Sequence, residues 1–152
     1  RSYLDLQQRR LGDKLDYTVY WEDGILDAVV LKQTIQPLIE NSLQHGFENV
    51  RTLRKIYIRC FKLDGSLVID VIDNGKGFPD SNIQTHIQNG YALQNIKDRL
   101  AMAFGDKADI SIEDMYSRGA WIRIKHPFIT DMSEIQEAKS EGDSNDSKSS
   151  DR

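Results

Sequence analysis

A chain of 152 residues is long enough for one domain with a real core and short for two. No apolar run approaches the roughly 18 residues of a membrane-spanning helix, no signal-peptide pattern is present, and a single cysteine, Cys60, excludes an internal disulfide or a multi-cysteine metal site. The net charge of −4 lies in the tail, where seven acids (Asp131, Glu134, Glu137, Glu141, Asp143, Asp146, Asp151) face Lys139, Lys148 and Arg152, so residues 1–130 are balanced and carry no basic footprint for nucleic acid.

The chain starts at Arg1 rather than at a methionine, and is expected to be a piece of a longer protein, with any membrane segment outside it. SYLDLQQRRLGDKL has helical spacing at Leu4 and Leu11 and reaches a helix stop at Gly12. LDYTVYW has strand composition, with Tyr17, Val19 and Trp21 on one face. Asp27 can cap a new helix, and from about Leu31 to Phe47 the helical pattern is clear. A charged loop follows, then two strands, KIYIRCFKL and SLVIDVID, joined at Asp64-Gly65, a dipeptide that favours a tight hairpin. In the first of these Ile56, Ile58 and Cys60 alternate with Tyr57, Arg59 and Phe61, so Cys60 reads as a small buried apolar side chain. An unpaired thiol fits a cytosolic setting.

Residues 78–90 (FPDSNIQTHIQNG) show no sustained period and are expected to form a loop long enough to carry function. YALQNIKDRLAMAF then reads as a helix ending at Gly105 as its C-terminal cap. Two final strands, ADISIED and AWIRIKH, are linked by MYSRG. No βαβ run of the doubly wound kind is visible, so the expected fold is an α/β sandwich (α+β): a mixed, mostly antiparallel sheet with about three helices on one face. In the tail, SEIQEAK can extend a helix briefly, whereas SEGDSNDSKSSDR is too polar to bury a core and is expected to be disordered.

Three stretches carry candidate chemistry. On the first long helix Leu31, Ile35, Leu38, Ile39, Ser42 and Gly46 form the sheet-facing stripe. Asn41 and His45, one turn apart, lie at its edge, where a cleft wall would be, and Glu40 lies about 100° round from Asn41 toward the polar face. Asn41 is either an exposed surface residue or a neutral oxygen ligand for Mg²⁺, an ion that takes few protein ligands. His45 is either a donor to phosphate or a satisfied boundary histidine. In IDVIDNGKGF a strand ends in Asp73, which can accept from an exocyclic amine, and Gly75 and Gly77 let a flat ring approach the main chain; the same residues could also make an ordinary turn. Gly90-Tyr91-Ala92-Leu93-Gln94-Asn95 leads into a helix N-terminus, a place for phosphate or simply for a cap.

In that order, the three motifs resemble the ATP-binding catalytic domain of sensor histidine kinases, within the gyrase/Hsp90/histidine-kinase/MutL ATPase superfamily (the Bergerat fold). QPLIENSLQHGF together with NGYALQNIKDRLAMAFG looks like the LytS/YesM branch, and the resemblance covers residues 3–128. It implies that ATP and Mg²⁺ are cofactors. Asn41 would hold Mg²⁺, Glu40 would polarise a reacting group or water, and His45 would line the phosphate region. Asp73 would bind the adenine amino group, Gly75 and Gly77 would shape the floor, and residues 78–91 would be a lid. Gly90, Leu93 and Asn95 would form a second glycine box.

The resemblance also implies an organisation: residues 1–12 as a connecting helix from a missing dimerisation and phosphoacceptor domain, 13–130 as the catalytic domain, and 131–152 as the acidic tail. Three departures stand out: Ala92 where the family commonly has glycine, Ala120 where threonine is usual, and Gln44 where lysine is frequent. Pro37, four residues before Asn41, cannot act as the base of a hydrolytic ATPase, which leaves transfer to a protein histidine. None of His45, His86 and His126 reads as the acceptor. The implied partners are the upstream domain and a response regulator, with no nucleic acid and no membrane contact by this piece of a membrane-anchored bacterial sensor's cytoplasmic part. The alternative is a catalytically degenerate nucleotide-binding module of the same fold. A serine kinase acting on an anti-anti-sigma factor uses this fold too, and the stretch from Gln94-Asn95 to Arg99-Leu100 argues against it. Arg99 is left between reaching phosphate and pairing with an acid.

Overall fold

The computed structural model describes residues 2–48, 52–78, 86, 91–113 and 119–135. Helix α1 (Ser2–Leu11) turns through Gly12–Lys14 into strand β1 (Leu15–Trp21). Helix α2 (Gln36–Asn41) widens into a π-type turn over Ser42–Gly46. Strands β2 (Arg54–Leu63) and β3 (Ser66–Asp73) form the expected hairpin. Helix α3 (Tyr91–Phe104) and strands β4 (Asp109–Ile112) and β5 (Ala120–Pro127) complete the order. Among the described residues no helix is long and apolar enough to cross a membrane.

The strands align as β1-β2-β3-β5-β4; β1 runs parallel to β2 and every other neighbouring pair is antiparallel. The parallel pair is one crossover through α2, so the sheet is mixed without being doubly wound. Asp64 (φ 48°) and Gly65 (φ 75°) both take left-handed backbone, the turn geometry whose twist matches the flanking strands.

One face of the sheet carries the core. Ile56 and Ile58, then Leu67, Ile69 and Val71, then Ile122 and Ile124 alternate toward it. All three helices cover that face: Leu4 from α1, Leu38 and Ile39 from α2, and Leu93, Ile96, Leu100 and Phe104 from α3. The α3 residues recur at helical spacing, and each such side chain contributes about 2 kcal/mol on burial.

The opposite face explains why β3 is buried on both sides. Tyr20, Arg59, Asp70, Arg123 and Ser111 form one row across all five strands. Asp70 is wholly buried, and its carboxylate accepts from Arg59 Nε at 2.6 Å and Arg123 Nε at 2.8 Å, with Phe61 and Trp121 lying against the guanidiniums. Burial alone would raise the Asp70 carboxyl; hydrogen bonding to Arg123, Trp121 and Arg59 outweighs it and holds the pKa below the usual carboxylate value.

Two local expectations need correction. The helix expected from Leu31 begins only at Gln36, because Pro37 occupies its first turn, where a missing N–H is tolerated, and disfavours helical backbone in what precedes it. Residues 32–35 form turns, with Gln33 at φ 59° and Thr34 Oγ1 donating to the Leu31 carbonyl at 2.5 Å. Asp27 caps no helix: Ala28 N–H closes a turn on Ile25, and Val29 N–H donates to the Ile129 carbonyl at 2.9 Å.

Cys60 faces the core, half-buried, and burial followed by the nearby Asp70 charge pushes its thiol up to about 11. Most of the stretch 78–90, where a loop is expected, residues 114–118 and the tail from 136 lie outside the described residues.

Candidate functional site

A cleft of about 640 Å³ opens between α2, the end of β3, the start of α3 and β5. Its apolar walls are Leu38, Phe78, Leu93 and Ile122; its polar groups are Asn41, Ser42, His45, Asp73, Lys76 and His86. Apolar walls with a few converging polar groups are the form of a site for a flat, partly apolar ligand.

Asp73 lines this cleft, is 5% exposed, and has its carboxylate held by three protein donors. Gly75 N–H (2.8 Å) and Ala120 N–H (3.3 Å) donate to Oδ1, and the Ser42 hydroxyl donates to Oδ2 at 2.6 Å. The strand end and the helix end are stitched together beside it by Lys76 N–H donating to the Gly46 carbonyl at 2.8 Å.

The glycines of DNGKG serve this close approach. A Cβ on Gly75 would lie 2.3 Å from the Gly46 oxygen, and one on Gly77 (φ 73°) would lie 2.3 Å from the Gly119 oxygen. Both contacts are backbone against backbone, so no side chain can move aside. Asn74 turns the other way: its Oδ1 accepts from Lys55 N–H at 2.7 Å and its Nδ2 donates to the Leu53 carbonyl at 2.9 Å, which fastens the turn to the start of β2.

Asn41 and His45 line the cleft as the helical spacing anticipates, and Leu93 lines it while packing into the core. Glu40 and Asn95 do not. They lie in a neighbouring groove of about 720 Å³ with Gln33, Gln36, Pro37 and Arg99, and Ala92 borders both spaces. Glu40 Oε1 accepts from Gln36 Nε2 at 2.9 Å. Gly90 falls outside the described residues. Arg99 donates to the Lys32 carbonyl at 2.7 Å and to Gln33 Oε1 at 2.9 Å, tying α3 to the turn before α2.

Ser42 is the residue that sequence reasoning passed over. Its spacing puts it on the sheet-facing stripe, and a hydroxyl in an otherwise apolar stripe is the signal, since a buried hydroxyl needs a partner. The donor set also fits an ion brought in with phosphate. Among the described residues no three His, Cys, Asp or Glu side chains gather to cage a metal, while Asn41 offers one neutral oxygen on the cleft wall, and Mg²⁺ needs only one or two protein ligands beside phosphate and water.

Residues 26–130 match the model of the histidine kinase-, DNA gyrase B- and HSP90-like ATPase family. The chain belongs to this family. Sensor histidine kinase YesM of Bacillus subtilis is 30% identical over 127 residues, an alignment covering 84% of this chain and 22% of that protein. Sensor protein LytS of Oceanobacillus iheyensis is 28% identical over 138 residues, covering 84% of this chain and 23% of that one. This ATPase-family chain therefore spans less than a quarter of the length of these relatives. Among solved structures, the catalytic domain of histidine kinase ThkA superposes with a TM-score of 0.65 at 16% identity, covering 86% of this chain and 88% of that one. Full-length ShkA in complex with AMPPNP superposes with a TM-score of 0.57 at 18% identity over 86% of this chain and 29% of that one. At those identities the likeness shows the fold, and it is the fold of histidine kinase catalytic domains.

Proposed function

We propose that this chain is the ATP-binding catalytic portion of a two-component sensor histidine kinase, which passes the γ-phosphoryl group of ATP to a histidine on a separate upstream helical domain. The observation that carries this reading is the buried Asp73 carboxylate, anchored by three protein donors in a cleft whose wall bears Asn41. An acceptor-only group at the end of an apolar slot suits the amino group of adenine. Asn41 would supply the protein oxygen to Mg²⁺, which when bound neutralises phosphate charge. His45 would donate to the phosphates from the same wall, and Leu93 would pack against the ligand.

Glu40 fits a role outside the cleft. One residue before Asn41, it faces the adjoining groove, where its carboxylate can accept an N–H from an incoming imidazole and raise the nucleophilicity of the other ring nitrogen. That nitrogen would attack the γ-phosphorus as the bond to the β-bridging oxygen breaks, with ADP as the leaving group. Pro37, in the first turn of α2, gives no carboxylate for activating water, which supports transfer over hydrolysis. The Tyr3 hydroxyl, raised first by burial, is raised further by the Glu40 charge, so the first turn of α1 lies within electrostatic reach of that groove. An upstream domain joined through α1 would arrive there. Its phosphorylated histidine would serve a response regulator, and the complete protein would be a membrane-anchored bacterial sensor with this portion on the cytoplasmic side.

The test is calorimetric titration of ATP with and without Mg²⁺, on the native sequence and on Asn41→Ala, followed by incubation with the upstream domain supplied in trans. Binding that requires Mg²⁺ and Asn41, with acid-labile label appearing only on the added domain, is the expected result. Label on this chain alone, or ATP binding indifferent to Asn41 and Mg²⁺, would overturn the reading.

A further inference from the structure

Ser42 has one proton to give and two acceptors in range. Its Oγ lies 2.6 Å from Asp73 Oδ2 and 3.2 Å from the Leu38 carbonyl oxygen. The Leu38 carbonyl already receives the backbone N–H of Ser42 itself, whereas the carboxylate is charged and closer, so the proton goes to Asp73. The helix widens at this residue: Ser42 opens the π-type turn that runs to Gly46, and such widened turns recur at functional sites. The same turn brings Gly46 against the carboxylate, where a Cβ would lie 3.3 Å from Oδ2 and 3.5 Å from Oδ1.

A carboxylate has about four acceptor positions. Gly75 and Ala120 occupy Oδ1 and Ser42 occupies one position on Oδ2, which leaves one position, on Oδ2, on a side chain that lines the cleft. Without Ser42, Asp73 would be held by Oδ1 alone and could swing about its side-chain bond. Ser42 therefore sets where the free lone pair points.

We infer that Ser42 is a specificity-positioning residue: by holding Asp73 Oδ2 it aims the remaining acceptor position at a ring amino group, and so selects 6-aminopurine nucleotides over purines lacking that amine. A 6-oxopurine would present a carbonyl oxygen to the same lone pair and be repelled. This rests on the nucleotide-binding reading above.

The experiment is a binding cycle. ATP and purine riboside triphosphate, which lacks only the 6-amino group, are titrated into the native chain, Ser42→Ala and Ser42→Cys, with thermal melts of each. The native chain should prefer ATP. Ser42→Ala should weaken ATP binding roughly tenfold, the scale of one well-placed hydrogen bond to a charged group, and should leave the analogue within about twofold. Ser42→Cys, near in size but a weaker donor, should keep an intermediate preference. Equal losses for both nucleotides in Ser42→Ala would mean that the serine only supports the fold, and would overturn the inference. If only Ser42→Cys folds, an undiminished preference for ATP would do the same. Failure of the native chain to bind ATP would instead reject the nucleotide reading and this inference with it.

Discussion

Replacing Asp73 separates what the site needs to fold from what it needs to bind. In Asp73→Asn the amide oxygen can keep both backbone donors, Gly75 N–H and Ala120 N–H, which already share Oδ1. The amide nitrogen then faces Ser42, whose hydroxyl can donate to the Leu38 carbonyl, 3.2 Å away, while its oxygen accepts from the new amide N–H. Every buried group stays paired, and only the extra strength of charged bonds is lost, about 1 kcal/mol of stability. Asp73→Ala offers no such exchange. It leaves Gly75 N–H and Ala120 N–H without a side-chain acceptor; a buried unsatisfied donor costs about 1–3 kcal/mol, and entry of water from the cleft keeps the total to about 2–3 kcal/mol.

For the ligand the two variants are alike. Asn places a donor where adenine places its own, so Asp73→Asn should lose ATP about a hundredfold, as severely as the alanine variant. Urea unfolding and calorimetry on both variants test this. Near-native ATP affinity in Asp73→Asn would refute the assignment of Asp73 as the purine receptor. Equal destabilisation in the two variants would refute the account of its hydrogen-bond polarity.

Gly75→Ala should lower stability by about 2 kcal/mol and weaken ATP binding, because its Cβ would stand 2.3 Å from the Gly46 oxygen and 2.9 Å from Asp73 Oδ1; native melting behaviour would contradict this packing. Arg99→Ala should cost about 1–2 kcal/mol in urea unfolding by releasing residues 32 and 33 from α3, and Arg99→Lys should recover less than half, since an ammonium cannot reproduce the two-pronged contact; identical curves for both variants and the native chain would rule out that tether. His126 is buried, stacked on Phe104, with Nδ1–H donating to the Pro127 carbonyl at 2.9 Å and Nε2 without a partner among the described residues, and burial holds its pKa below the ordinary 6.5. Just below pH 6.5 the unfolded chain takes up the proton and the folded chain does not; stability should therefore fall as pH drops through that window, and His126→Phe should flatten that part of the profile measured by denaturant titration.

The parts legible in the sequence were those set by local rules. Asp64-Gly65 named its turn because few residues tolerate left-handed backbone in succession, and the α3 stripe ended at Gly105 for a related reason. What escaped depends on partners far along the chain. The start of α2 was misread because Leu31 and Ile35 both reach the core from turns, which imitates a helical stripe until Pro37 is given its weight. Ser42 meets Asp73 across 31 positions, and Arg99 meets Gln33 across 66, and no periodicity records either. Asp70 was likewise illegible: a carboxylate in the middle of a strand declares its need for partners, but register alone brings Arg59 and Arg123 to it.

The departures from the family pattern take on different weights once the geometry is known. At position 120 the backbone N–H donates to Asp73, and alanine supplies that donor as well as threonine would. Ala92 stands elsewhere, on the boundary between the cleft and the Glu40 groove. On the proposed reading, a methyl group there would stand between the nucleotide cleft and the groove proposed for the acceptor. If one departure slows this domain it is therefore the one at Ala92. Its signature would be a reduced rate of phosphoryl transfer at unchanged ATP affinity, relieved by Ala92→Gly; a change in affinity instead would place the methyl against the nucleotide itself.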